Sequence, residues 1–515
     1  VSKIGACFQS PDDAVKQIRI QEAVMKILYI DCDTLRPDHL GCYGYPRNTS
    51  PNIDEVAKDS VIFDRYYCSD APCLPSRAAL MTGRFGFHTG VVNHGGLMAD
   101  MRPDGTDRGF TDRNGCCNLP FVFRRAGLYT ASISTFPERH SAWWFAAGFK
   151  ETHNVGKGGM ESAEEVTPVA LRWLQRNKDR EDWFLHVHYW DPHTPFRAPE
   201  SFGNPFVDEP LPQSWITEEV LREHRKLAGP HTAQEINMYD DRTSPDFPRH
   251  PGRLDSMGDV KRLIDGYDCG VSYMDENIGM LLSELKEQGV YEDVAIVISA
   301  DHGENIGELG IYSEHGTADE ATAHIPLIVK WPGMQKGKHV SGLYYNVDFL
   351  PTMADLMEGV KTTEEYREAG YDGESFLSAL QQGDSEGREY LVVSQCAHVC
   401  QRAVRFDHWI YIRTYHDGYH LFDEEMLFDL NNDVYETVNV AVKNPEVCRQ
   451  AVYYLDKWVT QNMFTQVQHC VTDPMWQVLA EGGPYHARGH LRAYSERLKN
   501  TGREWAVPLL EKRHP

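Results

Sequence analysis

The sequence is poor in positive charge: 51 lysines and arginines face 76 aspartates and glutamates, for a formal net charge of −25. A chain without a basic footprint is not a general nucleic-acid binder, and it lacks the lysine-rich patch of a polybasic membrane anchor. It can still bind a small anion, because a local arginine or metal overrides the global field. No apolar run is long enough for a membrane span. Residues 1–24 lack the basic, apolar, small-residue order of a secretory leader. Met25 reads as a natural start, which makes 1–24 an upstream extension with no assigned chemistry. Of the twelve cysteines no two are spaced Cys-x-x-Cys, and Cys116 and Cys117 are adjacent, which suits neither a zinc knuckle nor a disulfide. Scattered thiols with no leader lead to the expectation of a reduced, cytoplasmic protein. Repeats and low-complexity tracts are absent. An apolar fraction of 41% is enough for a substantial core and argues against wholesale disorder.

What is present reads as α/β. "KILYID" is a short apolar run ending in carboxylates, the pattern of a buried parallel strand whose C-terminal end faces a site. A helix at "SPNIDEVAKDS" and strands at "VIFDRYYC" and "YTASIS" follow. Then come a helix at "SAEEVTPVALRWLQRN", the strand "WFLHVHYW", a long helix over 259–288, and the strands "VAIVISAD" and "IPLIVKW". Strands alternating with helices, with polar residues just past strand ends, predict ligands at the carboxyl edge of a mostly parallel sheet. The Pro-rich, charged stretch from Phe196 to Met257 reads either as a surface insertion or as a lid or pocket wall. Short strands at "EYLVVSQC", "HWIYIRTY" and "YHLFDEEMLFDL" predict a small antiparallel sheet, and a mostly polar tail begins near residue 446.

Three short pieces carry candidate chemistry. Asp31 and Asp33 sit two apart at a strand end, so alternation puts both on one face, one to bind a cation and one to cap the next turn. Asp301 and His302 follow an apolar strand, with Gly303 to let the backbone turn, an arrangement that suits a metal. His193 lies between two prolines beyond a strand, stiffly held and suited to general acid work near neutral pH. His186 and His188, inside the strand, read as satisfied core histidines. The fourth piece, "CLPSRAALMTGR", sets Cys73, Pro75 and Arg77 where a helix begins. A buried structural cysteine has no use for such neighbours.

Together with "DCDTLRPDHLGCYGYPRNTSPNID", "DPHTPF", "DHGENIGELG" and "HIPLIVKWPG", that stretch resembles the type I sulfatases of the alkaline phosphatase superfamily, from about Met25 to about Asn439. The resemblance implies a large mixed, mostly parallel sheet sandwiched by helices, with a small C-terminal antiparallel sheet. The chain then divides into an extension (1–24), a catalytic domain (25–385), a sheet subdomain (386–445) and a helical or tail extension (446–515). It further implies that a maturation enzyme oxidises Cys73 to formylglycine, whose hydrate is the nucleophile. One hydrate oxygen attacks sulfur and the other drives collapse to the aldehyde and expels sulfate. Arg77, one turn on, can hold the hydrate's charge with its fork of donors. The helix N-terminus adds free N–H groups and a partial positive charge, and Pro75 in the first turn leaves no N–H unpaired. By the same resemblance Asp33, Asp301, His302 and the modified Cys73 hold one divalent cation. Calcium comes first for an oxygen-rich site, with magnesium or manganese open. His193 contacts the sulfate of a small-molecule or saccharide ester, and a homo-oligomer stays open.

The sequence also departs from the family. Thr34 stands where many relatives have a second acid, leaving Asp31 to supply it. "SISTFPERHSAWW" lacks the expected lysine and offers His140, and His315 replaces a second lysine. Fewer lysines keep a phosphonate monoester or phosphodiester hydrolase on the same scaffold as the alternative, and an inactive binding homologue as the remoter one.

Overall fold

The computed structural model describes residues 25–102, 117–359, 370–467 and 472–515, so the extension 1–24 lies outside the described residues. Eight strands form the large sheet: β1 (Lys26–Cys32), β2 (Val61–Phe63), β3 (Tyr129–Ile133), β4 (Glu151–His153), β5 (Trp183–Tyr189), β6 (Val294–Ala300), β7 (Leu327–Lys330) and β8 (Lys338–Val340). Their order is β8-β2-β7-β6-β1-β5-β3-β4. β1 is central and pairs in parallel with β5 and β6, while β7 runs antiparallel to both its neighbours. β1, β5 and β6 are buried along their whole length, which is why they read as continuous apolar runs rather than alternating ones.

Side-chain alternation sorts the two faces. In the β1–β5 register Tyr29 lies beside His186 and Asp31 beside His188. On this face Tyr29 meets Phe349 edge-on and Phe184 stacks on Phe123, so the covering helices include α3 (Leu119–Arg125) and α6 (Phe349–Glu358), with α2 (Cys73–Thr82) packed against both. On the opposite face the Tyr189 hydroxyl bonds Thr167 of α4 (Ala163–Arg176) at 2.9 Å. There α4 packs on the long α5 (Met257–Glu287), which also packs on α1 (Pro51–Ala57). Capping boxes at Ser162 and Ser256 fix where α4 and α5 start.

The second sheet differs from the sequence expectation in two places. It contains β9 (Tyr390–Gln395), β10 (Cys400–Phe406), β11 (Trp409–His416) and β12 (Glu425–Asp429). The missed strand, β10, carries Arg402 and Arg405, whose charges interrupt its apolar pattern. Both are buried and paired, Arg402 with Asp473 at 2.7 Å and Arg405 with the Tyr67 hydroxyl at 3.0 Å. "VIFDRYYC" is likewise split, since Tyr66–Tyr67 leaves the large sheet to pair with His324–Ile325. β9 also pairs in parallel with Asp70–Ala71, the residues that lead into Cys73.

The polar-looking tail is helical and folds back. α7 (Pro445–Val467), α8 (Leu491–Asn500) and α9 (Val507–Arg513) follow β12, and none of the described helices is long and apolar enough to cross a membrane. Buried Glu235, in the stretch read as an insertion or pocket wall, accepts from Arg503 Nη1 at 2.7 Å, Arg497 Nε at 2.8 Å and the Tyr494 hydroxyl at 2.8 Å. Breaking a buried pair from one side costs about 3–5 kcal/mol, because the remaining charge loses its partner. Arg503→Ala is therefore expected to lower Tm and to expose α8 and α9 to protease, with Arg497 holding the loss toward the lower end of that range. An unchanged Tm and cleavage pattern would show that this tie does not secure the C-terminal helices.

Candidate active site at the carboxyl edge of the large sheet

Cys73 is the first residue of α2 and only 2% exposed. The helix opens with Ser76 N–H donating to Pro72 O at 2.9 Å. Its far end is closed by Gly83 at φ 64°, a left-handed cap that favours glycine. Ser76 Oγ donates to Asp301 O at 2.5 Å and so ties the helix to the loop after β6. Burial first, and then the charges of Asp33 and Asp301, push the Cys73 thiol well above its ordinary value. An unmodified sulfur there stays protonated, the opposite of an activated cysteine.

Arg77, fully buried, reaches from the same helix into the strand ends. Its Nε and Nη2 grip Asp31 at 3.0 and 3.1 Å. Nη1 pairs with Asp33 Oδ2 at 3.1 Å and with Asp301, and Nη2 donates to His188 Nε2 at 2.7 Å. Asp31 is thus held on both oxygens by Arg77. Thr34 brings no second carboxylate; its hydroxyl donates to Asp33 O at 2.8 Å and its N–H to Asp301 Oδ1 at 3.2 Å. Thr34 sits at φ 56°, a costly conformation for a β-branched residue. His186 and His188 are buried and satisfied as expected, with Nδ1 of each on Ser132 and Ser134. Their other partners, however, are the site's own Asp31 and Arg77.

The donor set fits a cation. Asp33 Oδ1 and His302 Nε2 are buried without hydrogen-bond partners and lie 3.9 Å apart. His302 Nδ1–H donates to Gly303 O at 2.8 Å, which turns a bare Nε2 lone pair toward the carboxylates. Cys73, Asp301 and His302 each bring a ligand atom within 4.8 Å of the others. Asp31, Asp33 and Asp301 face one Arg77, leaving two negative charges in excess if all three ionise. Burial, followed by repulsion from Asp33 and Asp31, drives Asp301 well above the usual carboxylate range despite Arg77. A divalent cation would remove that imbalance. Gly303 serves close approach rather than a turn, since a Cβ there would lie 2.1 Å from Ala321 O.

Histidines surround the outer side of Cys73. His193 and His315 each bring a ring nitrogen within 4.8 Å of the sulfur, and His140 Nε2 and His94 Nε2 each stand 3.6 Å from it. Burial, then the Arg139 charge, holds His140 down at about 3. His193 Nδ1–H donates to Thr194 O at 2.5 Å, and burial keeps the ring neutral, far below the usual histidine value. His315 is the opposite case. Burial disfavours its charge, but Glu314 at 2.8 Å and Glu304 at 3.6 Å outweigh burial and raise it to about 10. Sequence reasoning missed His94 and Glu304. Glu304, in "DHGEN", is buried with both oxygens unbonded and is raised by burial to about 7. His94 has no local sequence signal. It is placed by contact with a remote segment, its Nδ1 lying 3.0 Å from His486 Nε2.

Known proteins resemble this chain over most of its length. Choline-sulfatase of Rhizobium meliloti (strain 1021) is 28% identical over 440 residues, covering 77% of this chain and 78% of its own. The solved structure of BT4656 with its substrate D-glucosamine-2-N,6-O-disulfate superposes with a TM-score of 0.65 at 19% identity, over 85% of this chain and 98% of that one. The phosphonate monoester hydrolase SpPMH from Silicibacter pomeroyi gives 0.63 at 20% identity, over 86% and 96%. The family model described as Sulfatase matches residues 26–360, from the strand that leads into Asp33 to beyond the strand that follows His315. A match over well over half of the chain makes it a member of the sulfatase family, and as a sulfatase it is a hydrolase.

Proposed function

We propose that the chain hydrolyses a sulfate monoester, with formylglycine made from Cys73 as nucleophile and one divalent cation held by Asp33, Asp301, His302 and residue 73. The observation that carries this reading is the pair of bare, buried donors, Asp33 Oδ1 and His302 Nε2, beside a cysteine that cannot ionise. The cation would polarise the transferred group and lower the pKa of the nucleophile's hydroxyl. Calcium suits the carboxylates, with magnesium or manganese as alternatives. Arg77 keeps Asp31, Asp33 and Asp301 aligned, and α2 directs its N-terminal N–H groups at residue 73.

On the substrate side the reading moves one role. The sequence favours His193 as the proton donor to the leaving oxygen. Its Nδ1–H is given to a carbonyl and its neutral Nε2 carries a lone pair, so it has no proton to offer. His315, held protonated by Glu314 and Glu304, stands as the cation that lysine supplies in relatives, and we assign the proton to it. A phosphonate monoester or phosphodiester is the second reading. It is kept open by the substrate-side shell of Cys73, which is built of His94, His140, His193 and His315 rather than lysines. A sulfate monoester, a phosphonate monoester and a phosphodiester each carry one negative charge, so that shell disfavours a dianion without ranking the three. Assay of sulfate, phosphonate and phosphodiester panels on one preparation ranks the two.

Three outcomes are expected. Intact mass of protein made with the maturation machinery shows residue 73 lighter by the sulfur-to-oxygen difference plus two hydrogens, and Cys73→Ala folds but does not turn over. Substantial activity in that variant would overturn the nucleophile. Asp301→Asn loses most activity and weakens metal binding, read by elemental analysis; a chelated, metal-free enzyme that keeps its rate would overturn the cation. His315→Gln slows an alkyl or sugar sulfate by roughly 10²–10⁴, and a nitrophenyl sulfate much less, whereas His193→Ala slows both about equally. The charged form of His315 exists below about 10, so the wild-type profile should show no loss through pH 6–8 traceable to this residue. The reverse substrate pattern would return the role to His193.

A further inference from the structure

Beside this site, and sharing only Glu314 with it, three buried side chains converge from distant parts of the chain. His231 comes from the 196–257 stretch, Glu314 from the loop after β6, and His398 from the hairpin between β9 and β10. They are 6%, 7% and 5% exposed, and each brings one ligand atom within 4.8 Å of the others. His231 Nδ1–H donates to Ile236 O at 2.7 Å, so Nε2 is left with a lone pair. That nitrogen is buried, has no hydrogen-bond partner, and points at Glu314 Oε2 from 3.2 Å. His398 Nε2 lies 3.6 Å from Glu314 Oε1.

These separations are informative. A charge-assisted imidazolium–carboxylate bond closes to about 2.7–2.9 Å, as His315 does on the same carboxylate at 2.8 Å. Ligand atoms about 2.0–2.1 Å from a tetrahedral cation lie about 3.3 Å from one another. The 3.2 Å gap to Glu314 Oε2 and the 3.6 Å gap to Oε1 are longer than such a charge-assisted bond and leave room for a cation held through either or both carboxylate oxygens.

The supports are built as well. Tyr312 N–H donates to His231 O at 2.8 Å, linking the 231 loop to the residues before Glu314. Gln395 Nε2 donates to His315 O at 2.8 Å and its Oε1 accepts from Ala397 N–H at 2.6 Å, linking the hairpin to the same loop. His231 and Ser313 both hold left-handed backbone, at φ 60° and 56°, which the surrounding bonds must enforce. A cavity of about 190 Å³ lined by Thr194, Pro195, His231, His250 and Ser313 reaches the His231 side of the cluster.

We propose that His231, Glu314 and His398 form a second metal site, for a borderline transition cation such as Zn²⁺ with its fourth position open. Two imidazoles and one carboxylate are a zinc set, distinct in character from the oxygen-rich set around Asp33. The donor set does not rest on the hydrolytic reading of that neighbouring site, although a cation here would share Glu314 with His315.

The test uses Cys73→Ala protein, which removes the thiol as a competing ligand, kept in saturating Ca²⁺ and titrated with Zn²⁺ against a chromophoric chelator. One tight equivalent is expected, and Co²⁺ in its place should give the visible absorption of a four-coordinate ion. Adding His231→Gln or His398→Gln should weaken that equivalent by at least about 100-fold, beyond the roughly 10- to 100-fold that an outer partner costs. Circular dichroism without zinc checks the fold. If His398→Gln fails that check, His231→Gln, beside the cavity, decides. Asp301→Asn should leave the zinc equivalent intact, so failure of either site is seen separately. Equal zinc affinity in the parent and the histidine variants, or no equivalent that outcompetes the chelator, would overturn the site.

Discussion

Arg77 is one buried guanidinium set against three buried carboxylates, and most of the architecture serves that contact. Each ion taken out of water costs several kcal/mol, recovered only where geometry and hydrogen bonding are good. The chain meets that demand by converging three parallel strands. β1 brings Asp31 and Asp33, β5 brings His186 and His188, and β6 leads to Asp301, all in register at one edge of the sheet. Arg77 enters from α2 and lies over the Phe136 ring at 4.9 Å, which holds the guanidinium plane from its far side. The position of the proposed nucleophile follows from this, because Cys73 and Arg77 share one helical turn. Fixing the arginine fixes residue 73.

The same charge argument explains the histidines. A lysine would bring a permanent cation to the outer side of Cys73. This chain has at His315 a group that is cationic only because Glu314 and Glu304 stand behind it. For His193, 3.9 Å from Asp33 Oδ1, and for His140, burial outweighs the nearby carboxylate and holds both rings neutral. One residue type thus performs two jobs a few ångströms apart, and the difference lies in the neighbours rather than in the ring.

The parts legible in the sequence are those carried by continuous local pattern. The apolar runs of β1, β5 and β6 and the periodicity of α4 and α5 gave the central layers, while Asp33, Asp301 and His302 are singled out as a set only by the resemblance to the sulfatases. What stayed hidden depended on remote contacts. β10 reads as too charged for a strand because Asp473 and Tyr67, which satisfy Arg402 and Arg405, are far away in sequence. The grip of Arg77 on both oxygens of Asp31 has no local signal in the sequence. His94, His398 and His486 lie in unremarkable local sequence and acquire meaning only when three loops meet. The tail reads as polar because its helices bury a single face and because charged Arg503 and Arg497 are matched by a distant glutamate.

Chemistry and pocket are therefore built from different parts of the chain. Apart from His315, the groups that would act on the ester stand at the strand ends of the large sheet and on α2, where register leaves little freedom. The surroundings come from elements outside that sheet: the 196–257 stretch with His231, the β9–β10 hairpin with His398, and the C-terminal segment with His486, tied by His486 N–H to Ala397 O at 3.0 Å. Those elements are secured to one another through Glu235 and its partners and, through β9, to Asp70–Ala71. A change in the outer elements can reshape what approaches residue 73 without moving Arg77. A change at the strand ends alters the charge balance for every substrate alike.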